Sequence, residues 1–488
     1  MEPDPTEVSA GATPPAVTAR RASVDIVVQL FARGVMLLLG VVTTLVVIRT
    51  LGDERFGQWS TILAVAEIVG YLSALYSIEQ VAVERAAADH AMARTWLGAQ
   101  LGLSLVSTLL ATIVSCVVLL VIADDAAMRI AGALFSATIF AGGINASRTV
   151  FQAKVRNDVS AAVMTLNSVL WTGVVVLVAL SDGGLVPLAA GYLAVALVTS
   201  GLQLALSLRT GMIEMRGGRR LWGRLLRAAV PLAGAALLTV AYTRIDQVLV
   251  YQLSGAAEAG LYGAVYRVLD RAQLVPLAVV TTLLPMLAAA WTHDRARFGR
   301  LFQDAAEFLW IAALLPLGLT LVASEPLVEL LFGGEFADAA PALPILMGAF
   351  VAISLGPLAV NAIVVLGRQR RLATYALAGL VINVALNLVL IPPYGFLAAA
   401  WVTLVTEVAV VGLALWEVIR HLDEPPALSR FVRAALAAAL MTLALWGLSE
   451  LGASLAILVA AAVVIYGLLL QAFGALDLRR LRALLRRG

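Results

Sequence analysis

Five ionisable side chains stand inside two segments that are otherwise apolar enough to cross a bilayer. Arg244 and Asp246 interrupt AAVPLAGAALLTVAYTRIDQVLVYQL, and Arg267, Asp270 and Arg271 interrupt LYGAVYRVLDRAQLVPLAVVTTLLPMLAAAW. A charged group in hydrocarbon costs at least ~2.5–3.5 kcal/mol, so all five must face protein, water or a ligand. Residues 267, 270, 271 and 274 follow i, i+3, i+4, i+7 spacing and share one helix face. Two chemistries fit. In one, Asp246 and Asp270 neutralise the arginines and pin two helices together. In the other, the guanidinium groups, permanently charged and carrying a fixed fork of donors, hold the oxygens of a phosphate. Three arginines against two aspartates leave one cation uncompensated, which favours the anion site.

The elements that must position these groups follow from composition. The chain has 488 residues, is 61% hydrophobic and only 13% charged, and its mean hydropathy is +0.95. Soluble domains are ~45–50% apolar with ~25% charged residues, so this is an all-α polytopic membrane protein. Apolar runs long enough to span a ~30 Å hydrocarbon layer as helices occur fourteen times, at about 26–50, 57–83, 96–122, 130–152, 159–180, 186–208, 228–251, 261–287, 305–325, 341–366, 372–391, 396–419, 431–449 and 454–475. Of the 34 basic residues, 26 fall on one side of these spans, three (Arg49, Arg55, Arg129) on the other, and five (Arg33, Arg148, Arg244, Arg267, Arg271) within them. Short cytoplasmic connections retain Lys and Arg, so both termini are expected in the cytoplasm. Arg244 and Asp246 then lie in the outer half of the seventh helix, and Arg267, Asp270 and Arg271 reach a comparable depth in the eighth.

The domain plan reads as a tail (1–22), an N-terminal lobe of six helices (23–208), a basic cytoplasmic linker (209–227), a C-terminal lobe of six helices (228–419), two additional helices (431–475) and a basic tail (476–488). The linker RTGMIEMRGGRRLWGRLLR serves as topology determinant and joint, or lies as an amphipathic helix on the anionic inner leaflet. An internal repeat relates the lobes. Gly52, Gly57 and Trp59 recur as Gly255, Gly260 and Tyr262, and at the same offset Glu67 falls on Asp270. Both hairpins start from the cytoplasm, which makes this a parallel repeat about an axis normal to the membrane, a plan that leaves a cavity between the halves.

Other polar residues at membrane depth are weighed in the same way. Arg33, ~10 Å into the first helix, either lines the cavity or snorkels, and Arg148 is expected to snorkel to the cytoplasmic interface. Glu67, Glu79 and Glu407 are candidates, beside Asp246 and Asp270, for charge pairing or for ion coupling, with H+ and Na+ as alternatives. Asn145, Asn361, Asn383 and Asn387 serve sugar hydroxyls or helix packing, packing being favoured for the last two. Cys116 is the only cysteine and the three histidines are scattered, so no metal site and no bound cofactor is expected. The basic residues are distributed by topology, which argues against nucleic acid as a partner.

Several stretches resemble a known family. IRTLGDERFGQWS (48–60), TRIDQVLVYQLSGAAEAGLYGAVYRVLD (243–270), LLFGGEFADAAPALPIL (330–346) and INVALNLVLIPPYGFLAAAWVT (382–403) are similar to signatures of bacterial polysaccharide transporters of the O-antigen flippase type. That family belongs to the multidrug/oligosaccharidyl-lipid/polysaccharide exporter superfamily. The resemblance implies a V-shaped pair of lobes in the bacterial cytoplasmic membrane, working by alternating access. It further implies a polyprenyl-pyrophosphate-linked oligosaccharide as substrate, glycan-assembly enzymes and membrane lipids as partners, and Arg33, Arg244, Arg267 and Arg271 as the cationic cavity positions. Alternatives are a lipid II flippase and a cation-coupled multidrug exporter. A membrane glycan polymerase or ligase needs a sizeable loop to hold a donor and a base. The outer connections here are short, so no catalytic residue is assigned and the protein reads as a non-enzyme.

Overall fold

The structure, a computed structural model, describes residues 39–154 and 158–475, with the helical backbone of the first and sixth elements followed from Ala19 and Asn157. Arg33 lies outside the residues whose side chains are described. The helices are α1 (Ala19–Leu72), α2 (Leu75–Ala88), α3 (Ala93–Ile122), α4 (Ala126–Asn145), α5 (Thr149–Ala153), α6 (Asn157–Leu180), α7 (Leu185–Arg209) and α8 (Arg219–Ser254). They continue as α9 (Ala256–Ala272), α10 (Leu274–His293), α11 (Arg295–Phe332), α12 (Ala342–Val365), α13 (Arg370–Ile419), α14 (Leu428–Glu450) and α15 (Leu455–Ala472). Among the described residues, 12 helical stretches are long and apolar enough to cross a membrane.

Two of those stretches, Leu39–Ala88 and Arg370–Ile419, are 50 residues long. At ~1.5 Å per residue each would measure about 75 Å, more than twice the ~30 Å hydrocarbon layer. Each is broken at a glycine that takes a backbone conformation closed to other residues, Gly52 at φ 71 and Gly395 at φ 62. Each break is tied to a neighbouring element. The Glu258 carboxylate accepts the Phe396 N–H at 2.7 Å, and Arg49 donates to the carbonyls of Leu330 and Leu331 at the end of α11.

The second membrane segment is not the single helix the hydropathy suggests. It stops at Leu72 and resumes at Leu75 across Ala74, which sits at φ 54. Ser73 stabilises the break, its hydroxyl donating to the Gly70 carbonyl at 2.6 Å and accepting the Leu75 N–H at 3.3 Å. The eighth segment is likewise divided, between α9 and α10 at Gln273. Arg219 to Arg227, expected in the linker, form instead the first turns of α8. There Leu221, Leu225 and Ala229 pack with Ile78, Val81 and Trp96, and Trp222 Nε1 donates to the Ala99 carbonyl at 3.0 Å. The largest apolar cluster runs through both halves of the chain and includes Phe56, Trp59, Tyr262 and Phe336, while a second joins α10, α11, α12 and α13 around Phe298 and Phe302.

An ion-pair cage closes one end of the second half. The Glu417 carboxylate has no exposed surface and accepts from Arg368 at 3.1 Å, Arg371 at 3.2 Å and Arg420 at 2.5 Å. Tyr375 adds a hydroxyl at 3.2 Å. The cover consists of half-exposed arginines rather than depth, so surface-pair values apply, and the network as a whole contributes roughly 1–2 kcal/mol. Glu417→Ala is therefore expected to lower the thermal midpoint of the detergent-solubilised protein by a few degrees. An unchanged midpoint would show that the cage contributes nothing.

Candidate functional site

The site is assembled where the second helix of one hairpin meets its counterpart. Gly57 and Gly260 bring the backbones of α1 and α9 together so closely that a Cβ on Gly57 would stand 1.8 Å from the Ala256 carbonyl oxygen, and one on Gly260 1.9 Å from the Asp53 oxygen. The two contacts are mates, since the repeat offset carries residue 53 to 256 and 57 to 260. Ten residues further along each helix come Glu67 and Asp270, the recurring acidic pair.

Arg244, from α8, lies between these acids. Its Nε donates to Glu67 Oε2 at 2.9 Å, and Nη1 donates to both Asp270 oxygens at 3.1 and 3.2 Å. The guanidinium also lies 5.6 Å from the centre of the Tyr266 ring, whose hydroxyl is held by the Thr243 carbonyl at 3.1 Å. Arg267 adds a second cation to Asp270, Nη1 to Oδ2 at 3.3 Å. Arg271 takes no carboxylate among the described residues; its Nη2 donates to the neutral Thr44 hydroxyl of the first segment at 3.2 Å. Glu67, Arg244, Arg267 and Asp270 keep 20 to 40% of their side-chain surface exposed. Two guanidinium groups, Arg244 and Arg267, thus meet the carboxylates of Glu67 and Asp270, with the Asp246 carboxylate lining the same cavity and Arg271 beside them on a neutral partner.

Asp246 differs from the expectation that it neutralises an arginine. It is 2% exposed, and among the described residues no salt bridge ties it to a cation. It accepts instead from the Tyr262 hydroxyl, from Thr403 Oγ1 at 3.4 Å and from the Gln247 N–H at 2.8 Å. Its side chain turns to the hydroxyls of α9 and α13 rather than to a guanidinium, and Glu67 from the other half of the chain fills the role assigned to it. Glu407 lies on α13 beside the Tyr242 hydroxyl, away from the arginine cluster. Arg148 does not snorkel: it turns inward to Glu79, Nη2 to Oε2 at 2.8 Å, because a 5% exposed carboxylate there needs a partner. Asn387 donates to Asn383 at 2.9 Å and Asn361 to the Pro357 carbonyl at 2.8 Å, both within their own helices. Thr44 was missed by sequence reasoning, because a threonine in an apolar helix carries no signal of its own.

The cavity lined by Ser60, Glu67, Arg244, Tyr266 and Arg267 has only about 20 Å³ of free volume, room for about one water. In this arrangement the side chains themselves fill most of the space between the two hairpins.

A family model described as polysaccharide biosynthesis protein matches residues 23–291, which contain every member of this cluster. The chain belongs to that family. No curated protein sequence matches it significantly. Solved structures do match this polysaccharide biosynthesis family member in fold. One titled lipid II flippase MurJ, inward closed conformation, is 13% identical, with a TM-score of 0.75 over 92% of this chain and 98% of that one. An inward-facing multidrug resistance MATE family transporter of the MOP superfamily is 15% identical, with a TM-score of 0.69 over 79% of this chain and 94% of that one. An outward-facing MATE transporter gives 0.55 at 15% identity, over 80% and 94%. The family member is accordingly a multi-pass membrane protein with the fold of MOP-superfamily transporters.

Proposed function

We propose that this protein is a flippase that carries a polyprenyl-pyrophosphate-linked oligosaccharide from the cytoplasmic to the outer leaflet, for surface polysaccharide biosynthesis. The observation that carries the reading is the arginine cluster at the junction of the two hairpins, in which Arg244 and Arg267 are held by Glu67 and Asp270 while Arg271 takes no carboxylate among the described residues. A pyrophosphate is the polyanion that three guanidinium forks fit, and its lipid anchor keeps it at the membrane. The family match supports a glycan-related role.

In this reading the 12 spanning stretches, two of them double, give fourteen passes with both ends cytoplasmic. They form two six-helix lobes related by a pseudo-twofold axis through the Gly57 and Gly260 contact, plus two further helices, in the bacterial cytoplasmic membrane. Transport is conformational and involves no covalent chemistry. Phosphate oxygens entering from the cytoplasmic side compete with Glu67 for Arg244, so the ion pair that bridges the lobes is exchanged for one to substrate. The released carboxylates then repel the anion as the cavity turns outward.

A deletion strain tests this. Its surface polysaccharide is expected to disappear while lipid-linked glycan accumulates in the inner leaflet and cells continue to grow. Accumulation of peptidoglycan precursor with lysis would replace this reading by a lipid II flippase. Drug hypersensitivity with normal surface glycan would replace it by a multidrug exporter.

A further inference from the structure

Beyond the acidic pair, the two hairpins stop resembling each other. In the first, the residues that follow Glu67 on the same side of the segment are Tyr71, Tyr76, Gln80 and Glu84. The repeat offset maps these onto Leu274, Val279, Leu283 and Leu287 of α10. In the reverse direction, Arg267 and Arg271 map onto Ala64 and Ile68. One hairpin therefore concentrates positive charge and then turns apolar, whereas the other carries little positive charge and continues as an aromatic and polar stripe.

The stripe is built, not incidental. Tyr71 and Tyr76 lie 5.6 Å apart, centre to centre, with rings tilted by 40° across the break at Ser73 and Ala74. That break lets the two rings meet although four residues separate them. Tyr76 is 57% exposed, and the Arg148 guanidinium lies 5.9 Å from its centre. Gln80 and Glu84, both exposed, are joined by a 3.1 Å hydrogen bond. Behind Tyr76, the Glu79 and Arg148 pair keeps hydrogen-bonding capacity in reserve, since Glu79 Oε1 and Arg148 Nε are buried without a partner among the described residues. Tyr76, Gln80 and Glu84 are exposed and lie towards the end of the segment remote from the Gly57 contact, so the stripe runs from the depth of Glu67 out to water.

We infer that Tyr71 and Tyr76, backed by Arg148 and Gln80, form a platform for the pyranose rings of the transported glycan, so that one hairpin holds the phosphates and the other the sugars. This rests on the lipid-linked glycan reading above. A pyranose offers an apolar face of C–H groups and a rim of hydroxyls. A tyrosine ring matches the face, and its own hydroxyl, with guanidinium and amide groups, matches the rim. From Glu67 to Tyr76 the helix rises about 13 Å, the scale of a short oligosaccharide rather than of one sugar. The platform is continuous with the anion site, as a glycan joined to a pyrophosphate requires.

The test uses full-length protein in nanodiscs and two probes, undecaprenyl pyrophosphate and the same lipid bearing an N-acetylglucosamine disaccharide. Wild type is expected to bind the sugar-bearing lipid more tightly. Tyr76→Ala is expected to weaken that binding about tenfold and to leave the sugar-free lipid within about twofold, whereas Tyr76→Phe, which keeps the ring face, stays near wild type. Undiminished binding of the sugar-free lipid also reports that the variant is folded. Equal loss on both lipids, no loss on either, or a wild type indifferent to the disaccharide overturns the platform while leaving the flippase reading intact. Wild-type protein that binds neither lipid overturns the flippase reading itself.

Discussion

Reversing the charge at Arg271 is expected to reduce glycan export on the order of a hundredfold, equivalent to about 3 kcal/mol of lost binding in the transport cycle, with membrane insertion unchanged. Arg271 is the informative arginine because its partner among the described residues is a neutral hydroxyl, Thr44 Oγ1 at 3.2 Å. Arg271→Glu therefore breaks no ion pair and leaves no orphaned carboxylate, so the fold has little to lose. What it does, in the proposed reading, is place a negative charge where the substrate phosphate is to bind, turning attraction into repulsion. Arg271→Lys keeps the charge and loses the fork, and is expected to cost about tenfold. Arg267→Glu should be as severe in export but also less stable, because it sets a second carboxylate against Asp270. Arg300, 67% exposed, supplies the control reversal. Full export by Arg271→Glu at normal protein levels would remove the anion site from the mechanism.

The second large effect is conformational. Gly57→Leu or Gly260→Leu is expected to abolish transport by holding the two hairpins apart at the end where these glycines meet. Even a single methyl group at Gly57 would stand 1.8 Å from the Ala256 oxygen, and one at Gly260 1.9 Å from the Asp53 oxygen. The obstacle on each side is backbone, which cannot swing away as a side chain does, so the helices must separate. Spin labels on Glu54→Cys and Ala257→Cys, two exposed positions at this end, should report a longer distance in either leucine variant than in the parent. Because the two contacts are mates across one axis, the double variant should open the end scarcely further than either single one, a non-additivity expected of residues that share a contact. Leucine variants with unchanged label distance and normal transport would show that this approach is not part of the cycle.

How much of this was legible in the chain differs by layer. The spanning segments were readable because apolar length alone selects them, and the pairing of hairpins was readable from Gly52, Gly57 and Trp59 recurring as Gly255, Gly260 and Tyr262. Glu67 and Asp270 were placed at one depth by that offset, but nothing in the sequence says that Arg244 reaches both. Partner choice inside a membrane protein depends on which helix faces turn towards each other, and Asp246, two residues from Arg244, faces hydroxyls for that reason. The pairing of Arg148 with Glu79 was hidden because snorkelling and inward pairing differ only in side-chain direction. The break at Ala74 was invisible for a similar reason: alanine is a helix former, and the conformation is stabilised by Ser73 and by packing rather than by propensity.

The position of Arg244 between two carboxylates bears on which molecules the protein ignores. A bilayer is crowded with phosphodiester lipids, each bearing a single negative charge on its phosphate. A headgroup that engages Arg244 through Nε or Nη1 competes with Glu67 at 2.9 Å or Asp270 at 3.1 Å. In the proposed reading this competition favours a ligand of higher charge, such as a pyrophosphate, over a monoanionic phosphodiester. The carboxylates beside the arginine would then act as a threshold on charge number.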